Sequence, residues 1–162
     1  MIREALQSDS VAIAEIYNYY ILNTIVTFEL EPLSPEEISR RMESYKKIGP
    51  YLVYQEDNHV IGYAYVSKFR DRKAYDNSVE STIYIKNGYG KKGIGYKLYS
   101  ELLSLILSKY HVIIGGISLP NEASVKLHEK LGFKKVGHFS EVGKKFGKWI
   151  DVGFWELIGN SY

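Results

Sequence analysis

Four glycines and two lysines fall within the eight residues Gly88-Tyr-Gly-Lys-Lys-Gly-Ile-Gly95. Glycine lets the backbone take positive φ and lets an anion approach the N–H groups closely. Beyond the loop, Ile94, Leu98, Leu102, Leu105 and Ile106 recur three or four apart, which predicts an amphipathic helix to about Lys109. Such a loop brings free N–H donors, the positive end of the helix dipole and the charges of Lys91 and Lys92 to one point. That is a cradle for a pyrophosphate, and more than a turn alone requires. Other side chains also offer chemistry. Glu80 is either a solvated acid at a strand end or, half-buried beside tyrosines, a base with a raised pKa. His128 is either a structural imidazole or an acid near neutral pH. Arg72 carries a planar two-pronged donor suited to a carboxylate. His59, His111 and His138 show no metal-ligand spacing, so no metal is expected.

The glycine string matches a dinucleotide fingerprint at Gly88, Gly90 and Gly93, but such a site wants an acid ending the next strand. Here that strand, about His111 to Ser118, runs into Leu119-Pro-Asn121 and offers no carboxylate. A P-loop is excluded too, because no Gly-Lys-Ser/Thr closes the loop.

The elements that must hold these residues are legible in order. Ile2 to Ala5 reads as a short strand. A helix capped by Ser8 or Asp9 follows to about Leu22, its buried face built from Val11, Ile13, Ala14, Ile16, Tyr17 and Ile21. Asn23 to Glu29 is a loop or short extended piece. Ser34-Pro-Glu-Glu37 starts a second helix that ends near Lys47, before Gly49-Pro50. Tyr51 to Gln55 and Val60 to Phe69 form a hairpin, with Gly62 marking a bulge. Residues 70–77 form a polar loop, and Val79 to Ile85 alternates as a strand into the glycine loop. After the long helix come a strand, a helix ended by Gly132, and two strands joined by a Lys144–Lys148 hairpin left to solvent. The order βααβββαβαββ argues for an α/β fold with one mixed sheet and helices on both faces.

At 162 residues the chain reads as one domain with room for a real core. Its net charge of +2 asks for neither nucleic acid nor membrane as partner. The absence of cysteine excludes disulfides, thiolate metal sites and a cysteine nucleophile. No membrane span or signal peptide is visible, which makes a cytoplasmic enzyme the expectation.

The pattern Gly93-x-Gly95 after a strand and before a helix resembles the acetyl-CoA pyrophosphate loop of the GNAT superfamily of N-acetyltransferases. Asn121-x-x-Ser-x-x-Leu-His128-Glu-Lys-Leu-Gly-Phe133 strengthens that likeness. Thr27-Phe-Glu29, Arg72-Lys-Ala-Tyr75, Val79-Glu-Ser-Thr-Ile-Tyr84, Leu119-Pro-Asn121 and Gly147-Lys-Trp-Ile-Asp-Val-Gly-Phe-Trp155 are similar to the phosphinothricin and methionine sulfoximine N-acetyltransferases. The resemblance covers almost the whole chain. One departure is Gly90, which stands where the family usually carries Gln or Arg, and it costs a side-chain contact but no backbone donor.

The resemblance implies a GNAT-like acyl-CoA N-acyltransferase fold and acetyl-CoA as co-substrate, with acetyl passing by direct attack to the α-amine of a small amino acid analogue. It implies Glu80 as general base and His128 as the acid that protonates the thiolate, or as a cofactor contact. Ile83 and Ile85 would pair with the pantetheine arm, a backbone N–H near Tyr84 or Ile85 would polarise the thioester carbonyl, and Asn121, itself a good helix cap, would bond the pantetheine amide. Gly90, Lys91, Lys92, Gly93, Ile94, Gly95 and Tyr96 would hold the pyrophosphate. Phe28, Glu29, Arg72, Lys73 and Tyr75 match the family's substrate loops, and a homodimer is the family's common state. Acetylation of protein or peptide amines, and an acetyl-CoA sensor without turnover, stand as alternatives.

Overall fold

The computed structural model describes residues 1–159. Its strands are β1 (Ile2–Glu4), β2 (Tyr51–Glu56), β3 (His59–Lys68), β4 (Ser78–Ile85), β5 (Val112–Leu119), β6 (Lys134–Lys145) and β7 (Lys148–Ile158). Its helices are α1 (Ser10–Asn23), α2 (Pro35–Lys46), α3 (Ile94–Ile106) and α4 (Glu122–Lys130), with single 3-10 turns at Gln7–Asp9 and Lys73–Tyr75. The order is the one read from the sequence. All seven strands join one sheet in the order β1-β2-β3-β4-β5-β7-β6, antiparallel throughout except for β4 beside β5.

Local chemistry accounts for the boundaries. Ser34 Oγ accepts the Glu37 N–H at 3.1 Å, with Pro35 and two acids in the first turn of α2. Asp57 and Asn58 turn the β2–β3 hairpin at φ 46° and 62°, a conformation that short polar side chains tolerate. Beside that turn the register slips, Tyr54 facing Gly62 and Gln55 facing Val60, so the bulge falls next to Gly62.

Alternation along β2 and β3 sorts the core into two layers. Tyr51, Val53 and Tyr63 meet Ile13, Ile16, Ile38 and Met42 of α1 and α2 on one face. Leu52, Ala64 and Val66 meet Leu98, Tyr99, Leu102 and Ile106 of α3 on the other. Two expected core residues lie outside. Val11 sits on the solvent flank of α1, and Leu105 on that of α3. In α3 the row Leu98, Leu102, Ile106 faces the sheet, with Tyr99 and Leu103 filling the flank opposite Leu105.

The feature that makes room for a site is a short pairing. β4 and β5 match only over Ser78–Glu80 and Val112–Ile114, although both strands continue for several residues. Beyond Glu80 they part, and β5 keeps its other edge on β7 as far as Leu119.

Candidate active site

Two cavities adjoin in the gap. The larger, about 490 Å³, runs from Ile83, Tyr84 and Ile85 over Gly90, Lys91, Gly93, Ile94, Gly95 and Tyr96 to the face of α4. The smaller, about 170 Å³, lies between Glu80–Tyr84 on β4 and Gly116–Ser118 on β5, roofed by Val26 and Thr27. Val26, Ile83, Tyr84 and Asn121 border both, so the two form one continuous path.

The larger cleft has the backbone of an anion site. Gly88 and Gly93 take φ 87° and 74°, and Lys91 is held at φ 66° between them. Gly93 is the N-cap of α3 and has no side chain to satisfy the helix, so the N–H groups of Ile94, Gly95 and Tyr96 find no acceptor among the described residues. An added Cβ at Gly90 or Gly93 would meet nothing within 4 Å, which leaves open space above these donors. Lys92 sets its ammonium 4.9 Å from the Tyr89 ring centroid and lies off the lining.

Register decides which strand amides are free. Lys86 N–H donates to Ile61 O at 2.8 Å, so two-residue alternation turns the Tyr84 amide to β3 and the amides of Ile83 and Ile85 toward the gap. Tyr84 contributes its ring instead, packed among Tyr17, Tyr20 and Tyr63. Asn121 caps α4 by accepting the Ser124 N–H at 3.2 Å, and its amide nitrogen has no partner among the described residues.

Glu80 lines the smaller cavity without a hydrogen-bond partner among the described residues. Burial pushes its carboxyl above the ordinary carboxylate value, with nothing opposing. Room for it comes from Gly116, where a Cβ would stand 3.3 Å from Glu80 Oε1.

His128 is buried, and both ring nitrogens are engaged. Nδ1–H donates to Ser124 O at 2.7 Å, which leaves Nε2 to accept from the Tyr99 hydroxyl at 3.1 Å. The Tyr99 oxygen in turn meets Ser81 Oγ at 2.5 Å. Burial drives the His128 pKa below its ordinary value against the opposing pull of the Ser124 carbonyl, so the ring is neutral near pH 7. A neutral ring with no spare N–H does not make a ready acid. Gly115 leaves space for it, since a Cβ there would lie 2.6 Å from Nε2.

The substrate-loop residues go elsewhere. Phe28 packs its ring on Gly143, where a Cβ would come within 2.3 Å of the ring. Glu29 accepts two hydrogen bonds from Arg41, at 2.7 and 2.9 Å, and one from the Tyr17 hydroxyl, so it ties its loop to α1 and α2. Arg72, Lys73 and Tyr75 lie on the β3–β4 connection and line neither cavity, and the Tyr75 ring packs with Phe69 and Arg70. In the expected solvated hairpin, Lys144 and Lys148 are exposed, but Lys145 is buried and donates to Thr27 O at 2.8 Å. Its stem lies inside because the hairpin folds back over the 24–31 loop.

Among the described residues no three His, Asp or Glu side chains gather as a metal site. The description of an acetyltransferase (GNAT) domain matches residues 2–154 of this chain. The chain belongs to the GNAT acetyltransferase family. A phosphinothricin N-acetyltransferase of Streptomyces coelicolor is 38% identical, the match covering 96% of this chain and 94% of that one. An L-methionine sulfoximine/L-methionine sulfone acetyltransferase of Salmonella typhimurium is 34% identical over 96% and 92% of the two chains. A Salmonella typhimurium acetyltransferase solved with acetyl-CoA superposes at a TM-score of 0.97, with 33% identity and coverage of 100% and 95%.

In this GNAT domain the parting of β4 from β5 joins an anion cradle to a small polar chamber holding one unpaired carboxylate. Several residues of the chamber carry no local signal. Val26, Thr27, Ser81 and Ser118 line it, and Tyr99 reaches it only through Ser81 and His128. The adjacent Gly115 and Gly116 inside a strand were the readable hint, since they serve opposite faces of β5.

Proposed function

We propose that this single domain is an acetyl-CoA-dependent N-acetyltransferase acting on the α-amine of a small amino acid analogue of the phosphinothricin or methionine sulfoximine type. The observation that carries the reading is the unpaired Glu80 carboxylate in the chamber where the cleft ends. Acetyl-CoA supplies the activated acetyl group, and the free amides of Ile94, Gly95 and Tyr96 with Lys91 suit its pyrophosphate. The amides of Ile83 and Ile85 and the Asn121 side chain suit its pantetheine arm. Glu80 takes a proton from the substrate ammonium, and the neutral amine attacks the thioester carbon. A C–N bond forms, the C–S bond breaks, and the second amine proton leaves with the thiol. We assign His128 to holding Tyr99 and Ser81 in place.

A chamber of about 170 Å³ fits a small acceptor better than a peptide chain, being below the roughly 300–1,000 Å³ of drug-sized pockets. Arg72 lines neither cavity, but its guanidinium has no salt-bridge partner among the described residues. The likeness to the phosphinothricin branch makes it our candidate for the acceptor's acid group, with Lys73 beside it. We further infer a cytoplasmic homodimer without nucleic-acid or membrane partners. The donor is an intracellular metabolite, and an apolar strip on the outer hairpin offers a surface for a second copy.

Thiol release from acetyl-CoA with a panel of amino acid analogues, beside Glu80→Gln, tests the reading. Turnover on phosphinothricin or methionine sulfoximine is expected, cut at least about a hundredfold in the variant. Undiminished turnover in the variant would remove Glu80 as the base. No turnover on the panel with acetyl-CoA still bound would move the reading to peptide amines or a sensor.

A further inference from the structure

We propose that the end of the β6–β7 hairpin, acting through Lys145, positions the roof of the acceptor chamber and so helps decide which amine is admitted. The inference rests on the functional reading above. Val26 and Thr27 form the roof. Thr27 is fixed by its own hydroxyl, 2.8 Å from the Tyr17 hydroxyl. Its carbonyl is held from the far end of the chain, by Lys145 Nζ at 2.8 Å, 118 residues away.

Lys145 is an unusual anchor. It is 3% exposed, and no carboxylate pairs with it among the described residues. The Phe146 ring also faces it, its centroid 5.2 Å from the ammonium. A buried ammonium needs compensation, and the Thr27 carbonyl provides its one hydrogen bond among the described residues. Burial accordingly draws its pKa below the ordinary lysine value. The lysine and the roof are therefore tied by one hydrogen bond that crosses from the hairpin to the 24–31 loop.

A second contact reinforces the first. Phe28 seats its ring on Gly143, two residues before Lys145, in space that any Cβ would occupy. Beyond Phe28, Glu29 is held by Arg41 and Tyr17. The roof segment is thus stretched between a hairpin on one side and two helices on the other. The phosphate-facing donors of Ile94, Gly95 and Tyr96 lie outside this arrangement. Val26 also borders the larger cleft, so a change at the hairpin should weigh more on the amine than on acetyl-CoA, whose phosphate donors it does not touch.

The test compares Lys145→Met and Gly143→Ala with wild type, measuring kcat, both KM values and the thermal midpoint with phosphinothricin and methionine sulfoximine. Lys145→Met keeps the buried stem and removes the donor. It is expected to raise the amine KM about tenfold and change the ratio of the two amines, with the acetyl-CoA KM within about twofold. An unchanged amine KM and ratio, or equal rises in both KM values, would overturn the proposal. Should Lys145→Met fail to fold, Gly143→Ala decides by the same criteria, since it displaces the Phe28 ring while leaving the ammonium. Wild-type turnover on neither amine would sink the functional reading, and the inference with it.

Discussion

In the proposed reaction Glu80 is a base because of what surrounds it rather than what it is. Gly116 clears its path, the chamber limits its water, and no cation or N–H among the described residues stabilises its charge. Burial alone raises its pKa, and that fixes the sign of the pH dependence. A base must be ionised to act, so activity should rise with pH through the raised pKa of Glu80 and then level. The acid limb of kcat/KM should lie above the ordinary carboxylate range, and the residual activity of Glu80→Gln should lack that limb. A limb retained by the variant would assign it to another group. The neighbouring His128 is hydrogen-bonded through both ring nitrogens. Its Nδ1–H is spent on Ser124 O and its Nε2 on Tyr99, so the imidazole serves the chamber wall in its neutral form.

The 24–31 loop shows how a motif can be legible while the directions of its side chains are not. Thr27-Phe-Glu29 was visible in the sequence, yet a linear motif does not say which way each side chain turns. Thr27 faces the chamber, Phe28 faces Gly143, and Glu29 faces α2. The partners Arg41 and Lys145 lie 12 and 118 residues from their contacts, beyond any local periodicity. Burial works against the Glu29 carboxylate, but the Arg41 hydrogen bonds, the Tyr17 hydroxyl and the Arg41 charge prevail and hold its pKa below the ordinary value. A depressed native pKa means stability present above the unfolded pKa and lost as pH falls through the native one. Glu29→Gln should therefore cost about 1–2 kcal/mol at neutral pH, the pair being partly exposed. The gap between the two thermal midpoints should close as pH drops below the ordinary carboxylate range. A gap constant with pH would show that the loop is held by packing rather than by charge.

Across the molecule, the sequence disclosed what repeats or punctuates and hid what converges. Periodicity gave α3, the glycine loop gave the cradle, and turn residues gave the hairpins, so the order of elements was readable from end to end. The parting of β4 and β5 was not, because it depends on strands brought together from opposite ends of the α3 connection. The same limit hid the outer surface. Val136, Phe139 and Val142 on β6, Phe146 in the turn and Trp149 on β7 are each more than half exposed. β6 is also the edge of the sheet, with a row of backbone groups that no strand pairs among the described residues. An apolar strip along an open edge is a surface that a soluble chain usually covers. A second copy can do so with the same hairpin on both sides, as two-fold symmetry requires. Sedimentation equilibrium should accordingly find a dimer, and Val136→Glu with Val142→Glu should shift it to monomer by placing like charges in the strip. Neither valine lines a cavity, so the monomer should keep its acetyl-CoA affinity. A wild-type monomer at high micromolar concentration would leave the strip to some other partner and remove the dimer from the account.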